Sequence, residues 1–246
     1  MGAKTQNGFT IIEVLLFLSV TGLLAMGILA GSGLAISQQR YRDSVNSLKS
    51  YLQQQYSEVT NVINSRPGNW ACDTTAAVNE LAAGGQARGT SDCVLMGRYI
   101  TINETGTELT TSSVVGYRTP GAAEATTDIA EIANNYRLAT SPVDQDEQEV
   151  AWGAQVVKEK TTTPQPMSIL IVRSPLSGSL ITFTMEGIQT NLNTLVSLTN
   201  TNQARDLCVN ADIGTFVGRR LEVRMDAYAA NQSAINIPPE SESVCD

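Results

Sequence analysis

The sequence predicts an α+β protein in which one long N-terminal helix packs on an antiparallel β-sheet. Two observations predict this class. An apolar run near the N-terminus is continued by a stretch whose apolar residues recur at helical spacing. The rest of the chain is a series of short apolar and β-branched segments separated by turn residues, which is typical of strands joined by local turns. A helix followed by successive strands favours a sheet that covers one face of the helix.

The apolar run extends from Phe9 to Ser37 and contains a single charged residue, Glu13. As a helix it would be roughly 43 Å long, which exceeds the roughly 30 Å hydrocarbon core of a bilayer. A cleaved secretory signal peptide is one alternative, but its apolar core has only about 7–15 residues and follows a basic segment. Lys4 is the only basic residue before this run. We therefore expect a transmembrane helix over residues 9–37.

A plain membrane anchor is the second alternative, and it leaves Glu13 unexplained. A carboxylate at membrane depth costs roughly 2.5–3.5 kcal/mol on insertion scales, and such groups usually have a partner. A chain terminus created by cleavage just before the apolar run would supply a cation within reach. Glu13 is therefore a candidate functional residue.

The stretch Gly8-Phe9-Thr10-Ile11-Ile12-Glu13 resembles the class III signal sequence of type IV prepilins and type II secretion pseudopilins. In that family a short polar leader ends in Gly, and Phe and a Glu at the fifth mature position follow. The resemblance covers the leader and the apolar run. It implies cleavage between Gly8 and Phe9 by a membrane prepilin peptidase, N-methylation of Phe9, and filament assembly through Glu13.

The predicted domains are a leader over residues 1–8, the transmembrane and assembly helix over 9–37, its soluble half over 38–65, and a globular head over 66–246. Apolar residues of the soluble half recur at steps of three and four, which predicts that one face docks on the sheet. They are Tyr41, Val45, Leu48, Leu52, Tyr56, Val59 and Ile63. The resemblance implies the ladle shape of a pilin, with the helix as its handle.

Strands are predicted by β-branched and apolar segments bounded by turns, and the clearest hairpin surrounds Pro175-Leu176-Ser177-Gly178. The predicted strands are 93–102, 107–117, 150–157, 168–172, 179–184, 207–209 and 221–225. Short helices are predicted at 75–83 and 191–198, while the pattern at 129–138 is compatible with either a helix or a strand. An acidic loop is predicted at 141–149.

Four cysteines lie beyond the apolar run: Cys72, Cys93, Cys208 and Cys245. An even number of cysteines after an export signal favours two disulfides, and three pairings are open. We expect Cys72–Cys93 and Cys208–Cys245, because the other pairings require distant segments to converge. In pilins a C-terminal disulfide often holds the loop that faces partners, and the resemblance implies that role for Cys208–Cys245.

Composition excludes several classes of function. The chain contains no His and no Cys-x-x-Cys motif, which removes the usual zinc sites and every His-based nucleophile. The formal net charge is −8, and an acidic surface argues against bulk electrostatic binding of nucleic acid. We therefore expect a structural protein without catalytic residues, cofactor or metal.

Two charged clusters are candidate binding sites. Asp144, Asp146, Glu147 and Glu149 could offer oxygens to Ca²⁺, but the Gly and the other ligands of a calcium loop are absent, so a solvated loop is preferred.

Arg219, Arg220 and Arg224 form the one basic cluster, and some minor pilins of DNA-uptake systems carry such a patch. Glu222 shares its strand face and no aromatic residue interleaves, which disfavours DNA contact. Both tryptophans, Trp70 and Trp152, are expected in the core.

The sequence thus predicts a type IV pilin-like filament subunit. Length, loops and two disulfides favour a minor pilin or a pseudopilin over a major pilin, and a minor pilin is the preferred interpretation. It would be a single-pass protein of the inner or cytoplasmic membrane that later joins an extracellular filament. Expected partners are other pilin subunits, a prepilin peptidase, the pilus assembly platform and the membrane, with DNA or a host surface as further options. The alternatives are a secretion pseudopilin and a membrane-anchored extracellular enzyme or DNA-binding domain.

Overall fold

The computed structural model describes residues 10–61, 70–81, 89–199, 201–211 and 219–245. One long helix is followed by antiparallel strands, which confirms the predicted α+β class. The strands are β1 Trp70–Cys72, β2 Val78–Glu80, β3 Cys93–Ile102, β4 Glu108–Arg118, β5 Tyr136–Glu149, β6 Gln155–Val157, β7 Met167–Arg173, β8 Leu180–Glu186, β9 Arg205–Asn210, β10 Leu221–Met225 and β11 Ile235–Asn236. The helices are α1 Ile11–Thr60, α2 Asp128–Asn135 and α3 Leu192–Ser197. Single 3₁₀ turns lie at Ala151–Gly153, Gln232–Ala234 and Glu240–Glu242.

Helix α1 runs without a break from the apolar region into the head and is about 75 Å long. It begins after Thr10, whose hydroxyl accepts a hydrogen bond from the backbone N–H of Glu13 at 3.4 Å. Such a cap satisfies one of the N–H groups that have no partner inside the helix. The long predicted helix is therefore confirmed, while Phe9, residues 62–64 and the predicted terminator at 65–68 lie outside the described residues.

The second half of α1 buries the predicted apolar stripe in the main core. The residues of α1 in this core are Tyr41, Val45, Leu48, Tyr51, Leu52, Tyr56 and Val59. They pack against Ile100 and Ile102 of β3, Ile169 and Ile171 of β7, and apolar residues of the smaller sheet. Ile63, the last residue of the predicted stripe, lies outside the described residues.

Five strands form the main sheet in the order β5-β4-β3-β7-β8, and all neighbours are antiparallel. Strand β7 is buried on both faces. Ile169 and Ile171 face α1, whereas Leu170 and Val172 face a second core beneath α2 and α3. This explains why β7 is a continuous apolar run and not an alternating one. The predicted hairpin is confirmed as β7–β8, and α3 confirms the helix predicted at 191–198.

Four strands form a smaller sheet in the order β11-β10-β9-β6. The turn between β3 and β4 of the main sheet contacts the smaller sheet at Gly106, which has a φ of +71°. The carbonyl oxygen of Gly106 accepts a hydrogen bond from the N–H of Val156 in β6 at 2.7 Å. A Cβ at Gly106 would lie 2.2 Å from the carbonyl oxygen of Val156. Only glycine fits this close approach.

The helix predicted at 75–83 is wrong where the structure describes it, and residues 82 and 83 lie outside that part. Strand β2 pairs with β1 there. The side chain of Asp73 accepts hydrogen bonds from the backbone N–H groups of Thr75 and Ala77, at 2.8 and 3.0 Å. This turn reverses the chain, because an Asp side chain offers the backbone an alternative to helical bonding.

The acidic loop predicted at 141–149 is also wrong, because these residues form the second half of β5. They pair with β4 from Glu108↔Glu149 to Ser112↔Gln145. The last residues of β5 are exposed, so acidic side chains are accommodated at this edge and backbone hydrogen bonds hold the strand.

In two further stretches the boundaries of helices and strands differ from the predicted ones. The ambiguous stretch 129–138 contains both structures, since α2 gives way to β5 at Tyr136. The strand predicted at 150–157 begins only at Gln155, after the 3₁₀ turn.

Candidate assembly site

The first half of α1 presents a surface that a water-soluble domain does not tolerate. From its start to Ile36 it exposes large apolar side chains on all sides, namely Ile11, Ile12, Val14, Leu15, Leu16, Phe17, Leu18, Val20, Leu23, Leu24, Met26, Ile28, Leu29 and Ile36. A helix that is apolar all round requires lipid or other helices around it. Among the described residues α1 is the one helix long and apolar enough to cross a membrane, and its most apolar window is entirely unburied.

Hydroxyl groups in this half are satisfied inside the helix. Ser19, Thr21 and Ser32 donate to backbone carbonyls three or four residues earlier, at 2.8–3.1 Å. Such bonds allow hydroxyl side chains in an apolar environment. Glu13 differs, because it is the only charged residue of the run and it is exposed in the first turn. It remains the candidate assembly residue, while Gly8 and Phe9, the predicted cleavage and methylation site, lie outside the described residues.

Three tyrosines fasten the second half of α1 to the head. Tyr41 bonds to backbone groups of the small sheet, Tyr51 shares a 2.6 Å hydrogen bond with the hydroxyl of Thr111, and Tyr56 shares one of 2.8 Å with Thr182. Burial raises the pKa of Tyr56 to about 12. The Tyr56 hydroxyl therefore stays protonated at neutral pH. The hydrogen bonds of the three tyrosines give the helix directional contacts in addition to apolar packing.

An ion-pair bridge joins α1 to the sheet. The guanidinium of Arg98 on β3 lies 2.6 Å from Glu58 of α1 and 2.8 Å from Asp144 of β5. Asp144 also accepts a 2.7 Å hydrogen bond from Ser113. One carboxylate of the predicted acidic cluster thus has a structural role, while Asp146, Glu147 and Glu149 are exposed on the edge strand.

The C-terminal segment is attached to the small sheet by the disulfide between Cys208 and Cys245, whose residues are both fully buried. This is one of the two pairs expected from the sequence. Glu222 lies opposite Cys208 in the strand register, and its Oε2 is 3.3 Å from the Sγ of Cys245. The same oxygen accepts a 2.9 Å hydrogen bond from the backbone N–H of Val244. The buried carboxylate of Glu222 therefore also attaches the C-terminal segment to the small sheet.

Arg224 completes this network and is not a free cation. It bonds to Asp206 at 2.6 Å and to Glu222 at 2.9 Å. Hydrogen bonding to Asp206 raises the pKa of Arg224. The other arginines of the predicted basic cluster, Arg219 and Arg220, donate to backbone carbonyls. The guanidinium groups of this cluster thus bond largely to carboxylates and backbone carbonyls of the protein itself.

The other expected disulfide, Cys72–Cys93, joins β1 to the start of β3 and is only partly buried. Among the described residues, the one group that could form a metal-ligand set is Cys208, Glu222 and Cys245. Both of its sulfur atoms belong to the disulfide, so neither is available as a thiolate ligand.

Trp70 is half-buried in β1, but the prediction that Trp152 lies in the core is wrong. Trp152 is 57 % exposed and has a φ of 61° in the 3₁₀ turn. The guanidinium of Arg40 lies over its ring, 5.0 Å from the centroid. A turn conformation that sequence periodicity does not reveal moves this side chain to the surface.

Comparison of the chain with protein-family models, characterised proteins and solved structures finds no match.

Proposed function

We propose that the chain is a type IV pilin-like filament subunit, of the minor-pilin kind, that is held in a membrane by the first half of α1 and assembled through it. The observation that carries the proposal is the division of one unbroken helix. Its first half exposes apolar side chains on all sides, and its second half is buried in the head. The same element thus provides a membrane span and a rigid connection to the folded domain.

The rigid connection favours a filament subunit over a plain anchor. An anchor requires only a span, and a flexible linker to the head would serve it. Here Tyr41 and the pair formed by Arg98 and Glu58 attach the helix to two sheets. When such helices pack together in a filament, each head is fixed in orientation relative to its neighbours.

Glu13 supplies the assembly contact. Cleavage after Gly8 would create a Phe9 amine near one end of the apolar surface, and the amine of a neighbouring subunit would pair with Glu13. Removing one partner of a buried pair costs roughly 3–5 kcal/mol, because the other charge remains buried and unpaired. The pair of Glu13 with the Phe9 amine would therefore make filaments in which the subunits are out of register less stable.

Replacement of Glu13 tests this role. Glu13→Val should leave membrane insertion and leader cleavage intact and strongly reduce the amount of the subunit in sheared surface filaments. Ser19→Ala is the matched control, because its hydroxyl bonds only within the helix, and it should assemble normally. Normal incorporation of Glu13→Val would contradict the proposal. Recovery of wild-type subunits only from envelope-associated short assemblies, and not from surface filaments, would indicate a secretion pseudopilin.

A further inference from the structure

We propose that Trp152 and Arg40 form a membrane-interface contact that holds the head against the lipid surface before assembly. The inference rests on the proposed membrane insertion of α1 and adds a lipid-binding surface on the head itself. The 3₁₀ turn that carries Trp152 packs against α1 near the end of the apolar half.

Position along the helix places this pair at the edge of the apolar surface. Ile36 is the last large exposed apolar residue of the first half of α1, and Arg40 follows one turn later, about 6 Å along the axis. If the apolar half spans the hydrocarbon core, Arg40 and the ring beside it lie at headgroup depth. Tryptophan is enriched at this depth, because its ring is amphipathic, and arginine extends its cation towards lipid phosphates.

The backbone of Trp152 adopts an unusual conformation that presents the ring at the surface. A φ of 61° is unusual for a bulky residue and places it in the left-handed region. The ring is more than half exposed. Tyr228 shares both properties, so the position beside Arg40 at the edge of the apolar surface is what distinguishes Trp152.

The cation next to the ring favours lipid as the partner. Arg40 covers one part of the indole and is itself exposed, so the pair combines an apolar ring with a positive charge. Phosphate headgroups and acyl carbons match these two properties at a bilayer surface. A contact with a neighbouring subunit in the filament is the competing explanation, and the experiment separates the two.

Depth-dependent fluorescence quenching tests the inference on the full chain. Trp70→Phe leaves Trp152 as the only tryptophan, and Trp70→Tyr provides a second background if the first variant folds poorly. The protein is reconstituted into vesicles of phosphatidylcholine and phosphatidylglycerol that carry a spin label either near the headgroup or near the end of the acyl chain. We expect the emission of Trp152 to be blue-shifted relative to that of the chain unfolded in the absence of detergent. We also expect the label near the headgroup to quench more fluorescence than the label near the end of the acyl chain.

Tyr228 offers a matched control position. It is 69 % exposed and has a φ of 57°, so it resembles Trp152 in both respects. The neighbouring carbonyl of Ala229 bonds to Thr182, which in turn bonds to Tyr56. This places Tyr228 near the far end of the helix, on the order of 20 Å from Arg40 along its axis. A tryptophan introduced by Tyr228→Trp in a chain lacking the other two should show no quenching by either label.

The outcomes separate this inference from the proposed function. If alkaline extraction releases the chain from the vesicles, the membrane insertion of α1 fails and the proposed function fails with it. If the chain resists extraction but Trp152 is unquenched, the interface contact alone is overturned. Protection of Trp152 that appears only in assembled filaments would likewise overturn it, in favour of a contact between subunits.

Discussion

The hydroxyl of Tyr41 donates a hydrogen bond to the carbonyl oxygen of Val209 at 2.8 Å. The same hydroxyl accepts one from the backbone N–H of Leu221 at 2.6 Å. Val209 and Leu221 are partners in the register of β9 and β10, so one side chain bridges the end of a strand pair. This bridge lies where α1 leaves the head, and it fixes the direction of the exposed half of the helix.

Removal of this hydroxyl should destabilise the head. We expect Tyr41→Phe to lower the free energy of unfolding by about 1–3 kcal/mol, because buried backbone groups lose their partner. Denaturant unfolding of the full chain in detergent measures the change. Tyr228→Phe removes an exposed hydroxyl and should have an effect of less than about 0.5 kcal/mol. Equal effects of the two substitutions would show that the bridge is not a stabilising contact.

The sequence predicted the helix and its docking face, because both depend on periodicity. Apolar residues such as Val45 and Leu52 recur at helical spacing, and their burial follows from the geometry of the helix. The hairpin around Pro175–Gly178 is equally predictable from the sequence, since its turn residues and flanking apolar runs are local signals. The expected cysteine pairs also depended on sequence distance alone.

The remaining features depend on contacts between distant segments. Composition predicts a loop at the acidic end of β5, because the hydrogen bonding of this segment to β4 is not visible in its own residues. Arg98 gave no signal, since its carboxylate partners, Glu58 and Asp144, are far apart in sequence. The strand pattern places Glu222 on the face of Arg224, but the burial of Glu222 beside a disulfide follows only from the strand register.

The two disulfides should be reduced in a fixed order. Cys72 and Cys93 are partly exposed, whereas Cys208 and Cys245 are fully buried. A reductant must reach a sulfur atom, so the first pair should react under native conditions and the second only after the tail opens. Chain-entropy estimates give about 3.4 kcal/mol of stabilisation for the first pair and about 3.9 for the second. Timed alkylation with peptide mapping measures the order, and earlier labelling of Cys245 would contradict it.

Glu131 should make the stability of the head sensitive to acid. Hydrogen bonding from the backbone N–H of Ala125 lowers the pKa of this carboxyl, with further contributions from Asn135 and Arg118, against the opposing effect of burial. Because the folded-state pKa lies below the unfolded one, this stabilisation is present above the unfolded value of about 4.3. It is lost as the pH falls through the folded-state pKa.

Glu131→Gln isolates this contribution. It should lower the free energy of unfolding by about 1–3 kcal/mol at neutral pH. The difference from the wild type should shrink in acid, because the Glu131 carboxyl of the wild type becomes neutral like the amide that replaces it. Unfolding curves across the acidic range measure this convergence. Glu124→Gln is the control, because Glu124 is exposed, and a constant difference for Glu131→Gln at every pH would contradict the assignment.

The bridge formed by Arg98 should contribute more than a surface ion pair. Its side chain is only 16 % exposed and faces two carboxylates. Arg98→Met leaves both carboxylates without their cation, so we expect the free energy of unfolding to fall by about 1–2 kcal/mol, less than for a fully buried pair because of solvent exposure. Arg42→Met is the matched control, because the pair of Arg42 with Glu240 is 3.7 Å long and exposed. Indistinguishable unfolding midpoints for the two variants would refute the difference.

Leader cleavage should determine whether Glu13 can act. If the Phe9 amine is its partner, a chain that retains residues 1–8 presents no amine at the start of the apolar surface. We expect intact-mass measurement of assembled protein to begin at Phe9 with one added methyl group. Gly8→Val should retain the leader by altering the residue at the cleaved bond, and it should remain membrane-bound yet absent from filaments. Filaments built from uncleaved chains would show that the Phe9 amine is not needed, and Glu13 would then require a different partner.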